Sequence, residues 1–342
     1  MEGNVMLVFL VLFPMFGALA VYLVGRKNKA ARDYAAAAVT VVEFAVMLYV
    51  TAAYFGAAGW MDRMPVGTGN LTGYAAYGGI RGFCGFGLHF SLDGFRVLYG
   101  LVASFMWLLS TLFSKEYFAH YRNRNRYYFF LLVTLGATMG VFLSADLYTT
   151  FIFFEIMSFT SYVWVAHDEK ADSLRAADTY LAVAVLGGLV MLMGLFLLYH
   201  VAGTLDIREL YGICADILHG TGAEYDGKVR MLYVAGVCML FGFGAKAGAF
   251  PLHIWLPKAH PVAPAPASAL LSGILTKAGI FGILVVSCNL FLHDGKWGTL
   301  ILVIGVVTMA LGAVLALFSI NLKRTLACSS VSQIGFILVG IG

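Results

Sequence analysis

The sequence predicts an all-α fold, a polytopic transmembrane helical bundle, and three observations predict it. Hydrophobic residues make up 61% of the chain and charged residues 12%, and the mean hydropathy is +0.86. Such a chain has too little polar surface to cover a water-soluble domain. Apolar runs of about 20 residues, the length that crosses a bilayer, recur along it. Five of the seven prolines lie between positions 251 and 266, where two of these runs meet.

Residues 1–126 are predicted to form three N-terminal spans and one extramembrane loop. The spans cover 5–24, 34–55 and 95–113. The Gly- and Tyr-rich stretch at 56–89 has neither charge density nor apolar periodicity, so we expect it to lie outside the membrane.

Residues 127–292 are predicted to form five further spans, with the seventh span broken at its end. These spans cover 128–143, 147–166, 179–199, 231–250 and 267–292. Proline lacks a backbone N–H and clashes with the preceding turn, so the prolines between the last two spans interrupt the helix. The polar stretch between the sixth and seventh spans, which contains Asp206, Arg208 and Glu209, is predicted to be a loop.

Residues 293–342 contain a ninth span at 300–320 and a tenth that starts near Thr325. The tenth is still apolar at Gly342, and no polar residue follows it. We therefore expect the chain to be a piece of a longer protein.

The positive residues predict the orientation in the membrane. Loops that follow odd-numbered spans carry 13 Lys and Arg residues, and loops that follow even-numbered spans carry 7, counting Arg96 at the start of the third span. Cytoplasmic loops are enriched in these residues, so the N-terminus is predicted to face the outside of the cell (inner) membrane. The net charge of +4 then reflects topology, and we expect no nucleic-acid partner.

The cysteine pattern argues against a bound metal or redox group. Five cysteines are scattered singly, without a C-x-x-C pair or a histidine at ligand spacing. We expect no metal, no iron–sulfur cluster and no disulfide framework. The chain also shows nothing that would bind NAD or flavin, so no cofactor is predicted in it.

Three ionisable residues lie deep in apolar runs and are the main candidates for function. They are Glu155, Lys246 and Lys277. A charge in lipid is costly, and such residues commonly line an ion or proton path. Small residues around Lys246 leave room for water or for the close approach of another helix. The alternatives are a structural hydrogen bond for Glu155 and a lysine that only locks two helices together.

The sequence leaves the roles of three further residues open. Glu43 is isolated in the second span, and a functional and a structural role are equally compatible with its position. His253 and His260 flank the broken segment. Each is a candidate proton relay, because histidine titrates near neutral pH, and each is also a candidate cap for a broken helix.

A carboxylate and two lysines suit proton transfer on energetic grounds. At an effective dielectric constant of about 20, a Glu–Lys pair separated by roughly 4 Å is worth on the order of 4 kcal/mol. Moving one charge across 100 mV requires about 2.3 kcal/mol. Making or breaking one pair is therefore sufficient to load or unload a lysine, and Lys246 to Lys277 is a plausible relay across the broken segment.

The chain resembles a known family of membrane subunits from about Leu88 onward. Residues 244–279 read G-A-K-A-G-A-F-P-L-H-I-W-L-P-K-A-H-P-V-A-P-A-P-A-S-A-L-L-S-G-I-L-T-K-A-G, and the other matches are S-L-D-G-F, F-F-E-I-M-S and K-R-T-L-A-C-S-S-V-S-Q-I-G. These motifs resemble the antiporter-like, proton-translocating subunits of respiratory complex I (NADH:quinone oxidoreductase), Mrp sodium/proton antiporters and energy-converting hydrogenases.

The resemblance implies a role for each matched residue. Glu155 matches the glutamate of the fifth helix, Lys246 its partner lysine in the broken seventh helix, and Lys277 the eighth-helix lysine that passes protons onward. His253 and His260 match signature positions. The family also has two inverted five-helix repeats. The resemblance therefore implies that residues 127–292 are the first repeat and that 293–342 begin the second. The chain departs from the family at Asn321, where Asp is usual, and at Cys328, where Tyr is usual.

Three functions are compatible with the sequence. The first is a proton-translocating membrane subunit of a redox-driven complex, whose redox chemistry belongs to peripheral partner subunits; whether the assembly is an enzyme is then decided by those partners. The second is an Mrp-type monovalent cation/proton antiporter subunit, in which sodium is a candidate ion. The third is a membrane scaffold whose charges only lock helices. The first two require other membrane subunits and a lipid bilayer.

Overall fold

The computed structural model describes residues 2–56, 77–80, 87–119, 121 and 123–342. The described chain is mostly helical, and the predicted all-α fold is confirmed. The helices are α1 (Glu2–Lys27), α2 (Lys29–Gly56), α3 (Gly94–Tyr117), α4 (Arg124–Leu143), α5 (Leu147–Val165), α6 (Ala171–Ala202), α7 (Ile207–His219), α8 (Ala223–Ala247), α9 (Leu256–Val262), α10 (Ala265–Leu270), α11 (Thr276–Leu290), α12 (Gly295–Leu317) and α13 (Leu322–Ile341). A 3-10 turn at Leu252–Trp255 and a π-helical turn at Leu271–Leu275 lie in and after the broken segment.

The predicted extramembrane loop at 56–89 is described only in part. Strands β1 (Tyr77–Ile80) and β2 (Leu88–Ser91) pair antiparallel, with Tyr77 opposite Ser91. Residues 57–76 and 81–86 of the predicted loop lie outside the described residues.

Nine segments of the described chain are long and apolar enough to cross a membrane, so the chain is a multi-pass membrane protein. These segments are Val5–Lys27, Lys29–Phe55, Gly94–Tyr117, Arg124–Leu143, Ala171–Ala202, Tyr225–Val262, Ala265–Leu290, Gly295–Leu317 and Leu322–Ile341. Helix α5 occupies the predicted fifth span but is not among the nine. Its 19 residues are mostly apolar, with threonines, serines and Glu155 among them.

The chain divides into two compact units. Unit 1 comprises residues 1–167 and 264–274, and unit 2 comprises residues 168–263 and 275–342. The predicted domain boundaries at residues 126 and 292 follow the five-helix repeat. The packing does not test that repeat, so the boundaries stay a prediction.

Unit 1 is built around α4, whose small residues admit its neighbours. A Cβ at Gly136 would lie 2.5 Å from the carbonyl oxygen of Val11 in α1, and a Cβ at Gly140 would lie 2.3 Å from the Phe153 ring in α5. The hydroxyl of Thr134 in α4 donates to that of Thr160 in α5 over 2.8 Å. These contacts fix the register of α1, α4 and α5.

Unit 2 contains the remaining long helices. Helices α12 and α13 pack closely through glycines, since a Cβ at Gly312 would lie 2.4 Å from the backbone nitrogen of Ser332. The Asn321 side chain accepts a hydrogen bond from the backbone nitrogen of Arg324 and caps α13. Asparagine caps a helix as well as aspartate does, so the departure from the family at this position preserves the cap.

The prediction of a loop between the sixth and seventh spans is wrong at 207–219, where the chain forms helix α7. The Asp206 side chain caps it by accepting from the backbone nitrogen of Arg208 over 3.0 Å. Four apolar residues at helical spacing are buried in unit 2: Ile207, Leu210, Cys214 and Ile217. The charged residues on its outer face concealed this amphipathic pattern.

Candidate functional site

The helix that carries Lys246 ends one residue after it. Helix α8 stops at Ala247, and Gly248 takes the left-handed conformation at φ 78° while its N–H donates to the carbonyl of Gly244 over 2.9 Å. Glycine adopts this conformation without steric cost, which makes it a common residue at a helix end. The break therefore begins at a glycine, three residues before the first proline of the cluster, Pro251.

Polar groups freed by the break find partners within unit 2. The backbone N–H of Phe250 donates to the Thr308 hydroxyl of α12 over 3.0 Å. The indole nitrogen of Trp255 donates to the carbonyl of Ala245 over 2.7 Å. An unpaired polar backbone group is costly in lipid, so these bonds allow an interrupted helix at this depth.

Lys246 is buried against a tyrosine. The residue is only 3% exposed, and its Nζ lies 2.5 Å from the hydroxyl oxygen of Tyr180 on α6. The same Nζ lies 5.0 Å from the centroid of the Tyr180 ring. The Trp255 ring covers that ring, with centroids 4.8 Å apart. A tyrosine hydroxyl accepts and donates hydrogen bonds, so it can hold either protonation state of the amine.

Small residues bring two helices against α8 next to Lys246, as predicted. A Cβ at Gly187 of α6 would lie 2.8 Å from the Cβ of Ala245. A Cβ at Gly279 of α11 would lie 2.4 Å from the carbonyl oxygen of Phe243 and 2.6 Å from the nitrogen of Ala247. The close contact between α8 and α11 therefore lies next to Lys246 of α8.

Lys277 lies on the other side of that contact. It precedes Gly279 by two residues on α11 and is half-buried. The two lysines of the predicted relay are thus carried by two helices that touch within two residues of each.

His260 lies near two lysines of unit 2. His260 is 4% exposed on α9 and lies within electrostatic range of Lys277 and of Lys323 on α13. The Lys323 amine donates to the carbonyl of Ala263 over 3.0 Å, so it also holds the end of the broken segment.

His253 occupies the 3-10 turn of the broken segment and is 8% exposed. Its ring stacks on Phe250 with centroids 6.2 Å apart. Its Nδ1 is buried and has no hydrogen-bond partner among the described residues. A buried imidazole nitrogen without a protein partner is one that an ordered water commonly satisfies.

The two glutamates belong to unit 1. Glu155 is half-buried in α5, between Phe154 and Met157, which are buried. Glu43 is 0% exposed in α2, and neither of its carboxyl oxygens has a hydrogen-bond partner in the described part of the chain. The predicted pairing of Glu155 with Lys246 joins residues of different units and stays a prediction.

Sequence reasoning missed Tyr180, Thr308 and Lys323. Tyr180 stands near the start of an apolar run, where tyrosine is common in membrane proteins and carries no special signal. Thr308 and Lys323 act on the broken segment from helices remote in sequence, so no local pattern reports them. Over the described ranges, no three His, Cys, Asp or Glu side chains come together as a metal site.

The fold and the site define a multi-pass membrane protein with buried ionisable residues at a break in a helix. Residues 144–342 match the family model described as NADH:quinone oxidoreductase/Mrp antiporter, transmembrane. The match covers more than half of the chain, which therefore belongs to this family of antiporter-like membrane subunits.

Two curated relatives illustrate the similarity. Hydrogenase-4 component B of Escherichia coli K12 is 32% identical over 257 residues, which cover 74% of this chain and 36% of that protein. A Na⁺/H⁺ antiporter subunit of Alkalihalophilus pseudofirmus is 31% identical over 258 residues, covering 75% of this chain and 50% of that protein. The chain thus matches between a third and a half of the length of these relatives.

Two solved structures have the same fold. The membrane-bound sulfane sulfur reductase, an archaeal respiratory membrane complex, aligns over 98% of this chain and 64% of its own, with a TM-score of 0.81 and 20% identity. The Mrp complex from Dietzia sp. DQ12-45-1b aligns over 100% of this chain and 59% of its own, with a TM-score of 0.78 and 26% identity.

Proposed function

We propose that this chain is a proton-translocating subunit of a redox-driven membrane complex. One observation supports the proposal above all others: a lysine amine buried beside a break in a membrane helix, held by a tyrosine hydroxyl. A charged group at this depth is costly, and a role that only fastens helices would be served by apolar packing at lower cost.

The proton-carrying step is assigned to Lys246. Tyr180 stabilises the charged amine through its hydroxyl oxygen, and it still offers a donor when the amine is neutral. Lys246 therefore takes up and releases a proton without a large rearrangement of its neighbours. Glu155 is proposed to favour the charged state from unit 1.

The onward transfer is assigned to unit 2. Lys277 and His260 lie within electrostatic range of each other, and His260 lies in the broken segment, where irregular backbone favours the entry of water. His253 is proposed as a further acceptor because its buried Nδ1 is available to that water. The proposed order of transfer is Lys246, Lys277, His260. Lys246 and Lys277 lie on helices that touch, and His260 lies within electrostatic range of Lys277.

The driving force is proposed to come from peripheral redox subunits that bind this chain together with other membrane subunits. The hydrogenase-4 component and the respiratory membrane complex support a redox-driven assembly. We place the assembly in the cell (inner) membrane with the N-terminus outside, as the loop charges predict.

The second candidate is a monovalent cation/proton antiporter subunit that needs no redox partner. It is supported by the similarity to the Na⁺/H⁺ antiporter protein of Alkalihalophilus pseudofirmus and to the Mrp complex. The same proton-carrying residues serve both functions, and sodium is the candidate for the exchanged ion.

Copurification distinguishes the two. The chain is tagged in its native host, extracted in mild detergent, and its partners are identified by mass spectrometry. Peripheral subunits with iron–sulfur, flavin or nickel sites support the redox-driven complex. Only multi-pass membrane subunits, together with sodium-dependent proton exchange in vesicles, support the antiporter and overturn the redox-driven assignment.

A further inference from the structure

Glu43 is a buried carboxyl group that the proposed pathway leaves unused. The residue is 0% exposed, and both oxygens lack a hydrogen-bond partner in the described chain. An ionised carboxylate in such a place is strongly disfavoured because it is neither hydrated nor paired. A buried polar group without a partner calls for an explanation, such as a bound proton or an ordered water.

Charged residues of α2 and of the helices packed against it, other than Glu43, lie near helix ends. In α1 they are Glu2, Arg26 and Lys27; at the start of α2 they are Lys29, Arg32 and Asp33; in α3 they are Arg96, Lys115 and Glu116; and in α4 they are Arg124 and Arg126. Arg96 binds Asp93 and the Ser144 carbonyl, while Arg32 and Arg124 bind Asp33. Asp33 is ten residues from Glu43, about 15 Å along the helix.

Four tyrosines on these helices have contacts of their own. Tyr99 packs on Phe142, and the Tyr127 hydroxyl shares a hydrogen bond with Ser114 over 3.0 Å. Tyr22 packs on Phe129, and Arg32 lies over the ring of Tyr128. No described charged side chain therefore stands opposite Glu43 at its own depth.

Two neutral polar groups do lie at the depth of Glu43. A Cβ at Gly100 of α3 would lie 3.0 Å from the Met47 side chain of α2, and the Phe44 and Phe105 rings are 5.6 Å apart, so Glu43 lies at about the depth of Ser104 on α3. Ser104 is 1% exposed, and its hydroxyl donates to the carbonyl of Leu101 over 3.0 Å, so its oxygen can still accept a hydrogen bond.

The second polar group comes from α1. A Cβ at Gly17 would lie 3.0 Å from the Val39 side chain, and α1 and α2 run antiparallel, so Glu43 is level with the turn that contains Pro14. Proline has no N–H, and the carbonyl of Leu10 therefore lacks its usual helical donor. The Leu10 carbonyl, the Ser104 hydroxyl and the Glu43 carboxyl thus lie at similar depths in unit 1, and we call these three groups the polar layer.

We propose that this layer is a proton-binding site: the Glu43 carboxyl carries a proton at rest and exchanges it with water that enters between α1, α2 and α3. On release, the O–H bond of the acid breaks and the proton passes to that water. On uptake, a hydrated proton returns to the carboxylate. The neutral acid donates toward the free carbonyl of Leu10 or to an ordered water, which accounts for its burial.

The layer lies close in depth to Glu155. Gly136 of α4 faces Val11 and Met15 of α1, and the Thr134–Thr160 bond sets Gly136 level with Ser158 of α5. Glu155 is three residues from Ser158, or about 4.5 Å along the helix. This role rests on the proposed function: Glu43 would add a second carboxyl to the proton path of unit 1.

Infrared spectroscopy tests the site directly. The whole complex is reconstituted in lipid, and the C=O stretching band of protonated carboxyl groups is recorded for the wild type, Glu43→Gln and Glu155→Gln. We expect Glu43→Gln to remove one band that Glu155→Gln leaves in place, and transfer to D₂O to shift that band in the wild type. Thr40→Val, which changes a buried side chain one turn away on α2, should leave it unaltered.

Two results would overturn the site. If Glu43→Gln removes no carboxyl band, the residue is ionised and no proton is bound there. If the band is removed but does not shift in D₂O, the proton is structural and is not exchanged. Should Glu43→Gln fail to assemble, Glu43→Asp keeps the acid and must displace the band. None of these readouts requires the complex to transport protons. The site can therefore fail while the proposed function stands, and the proposed function can fail while the site stands.

Discussion

The amine of Lys246 and the hydroxyl of Tyr180 lie 2.5 Å apart inside unit 2, under the ring of Trp255. Within this unit the lysine is therefore held by a neutral group that accepts or donates as the amine gains or loses its proton. Removing the hydroxyl should alter how readily Lys246 holds a proton, while the ring preserves the packing.

Tyr180→Phe is predicted to slow proton transport with little change in assembly. A hydrogen bond to a charged group is worth about 1.5–3 kcal/mol, equivalent to about 10-fold to 100-fold in the occupancy of the charged lysine. Proton uptake in vesicles and its pH profile measure the effect. Tyr233→Phe is the matched control: Tyr233 bonds Asp294 from the other end of α8, 13 residues or about 20 Å from Lys246. Equal rates for both variants would contradict the role of Tyr180.

Gly279→Ala is predicted to destabilise unit 2. The added Cβ would lie 2.4 Å from the Phe243 carbonyl oxygen, so α11 must move away from α8 next to both lysines. Overpacking of this kind costs about 1–3 kcal/mol. Thermal unfolding in detergent should show a lower midpoint.

Gly212→Ala is the control for that change. Nothing lies within 4 Å of a Cβ at Gly212 in α7, and alanine favours a helix over glycine by about 1 kcal/mol. This variant should be neutral or more stable. A Gly279→Ala protein with an unchanged midpoint would mean that α8 and α11 do not touch there.

Thr308→Val tests how the break is held. The variant keeps the shape of the side chain but removes the acceptor for the Phe250 N–H, leaving a buried donor unpaired at a cost of about 1–3 kcal/mol. Thr299→Val is the control, since Thr299 is exposed near the start of α12 and bonds only its own helix in the contacts described. The unfolding midpoint should fall for the first variant and not for the second.

Asp146, between α4 and α5, should give a pH-dependent stability. Burial raises the pKa of its carboxyl, against the opposing hydrogen bonds from Thr149 and the pairing with His89. The folded state then binds more protons than the unfolded state, so this group's contribution falls as pH rises from its ordinary pKa of about 3.9.

Asp146→Asn should remove that slope and still cap α5, because asparagine accepts from the Thr149 N–H in the same way. Asp146→Ala should also lose the cap, at about 1 kcal/mol. Unfolding midpoints measured from pH 4 upward separate the two effects. A steeper slope in Asp146→Asn than in the wild type would contradict this reading.

The sequence predicted the spans and the buried lysines because both leave local signals. A lysine in an apolar run stands out, as does a cluster of prolines, and α1, α2 and α12 follow the predicted runs closely. The break itself begins at Gly248, before any of those prolines, because the helix ends on a left-handed glycine.

What the sequence could not predict depends on distant contacts. Tyr180 meets Lys246 across 66 positions and Thr308 meets Phe250 across 58, so neither pair leaves a local pattern. Helix α7 was hidden because its charged face outweighed four buried apolar residues. Glu43 was noticed but left open, since its burial without a partner is visible only in three dimensions.

The central claim is tested most directly by removing the charges of Lys246 and Glu155 and measuring proton translocation by the assembled complex. Lys246→Met and Glu155→Gln are introduced singly and together, assembly is verified by copurification, and proton movement is followed in sealed native-membrane vesicles. The account predicts complexes that assemble but transport few or no protons in every variant. Wild-type translocation in the double variant would mean that these charges only lock helices, and the proton path would have to lie elsewhere.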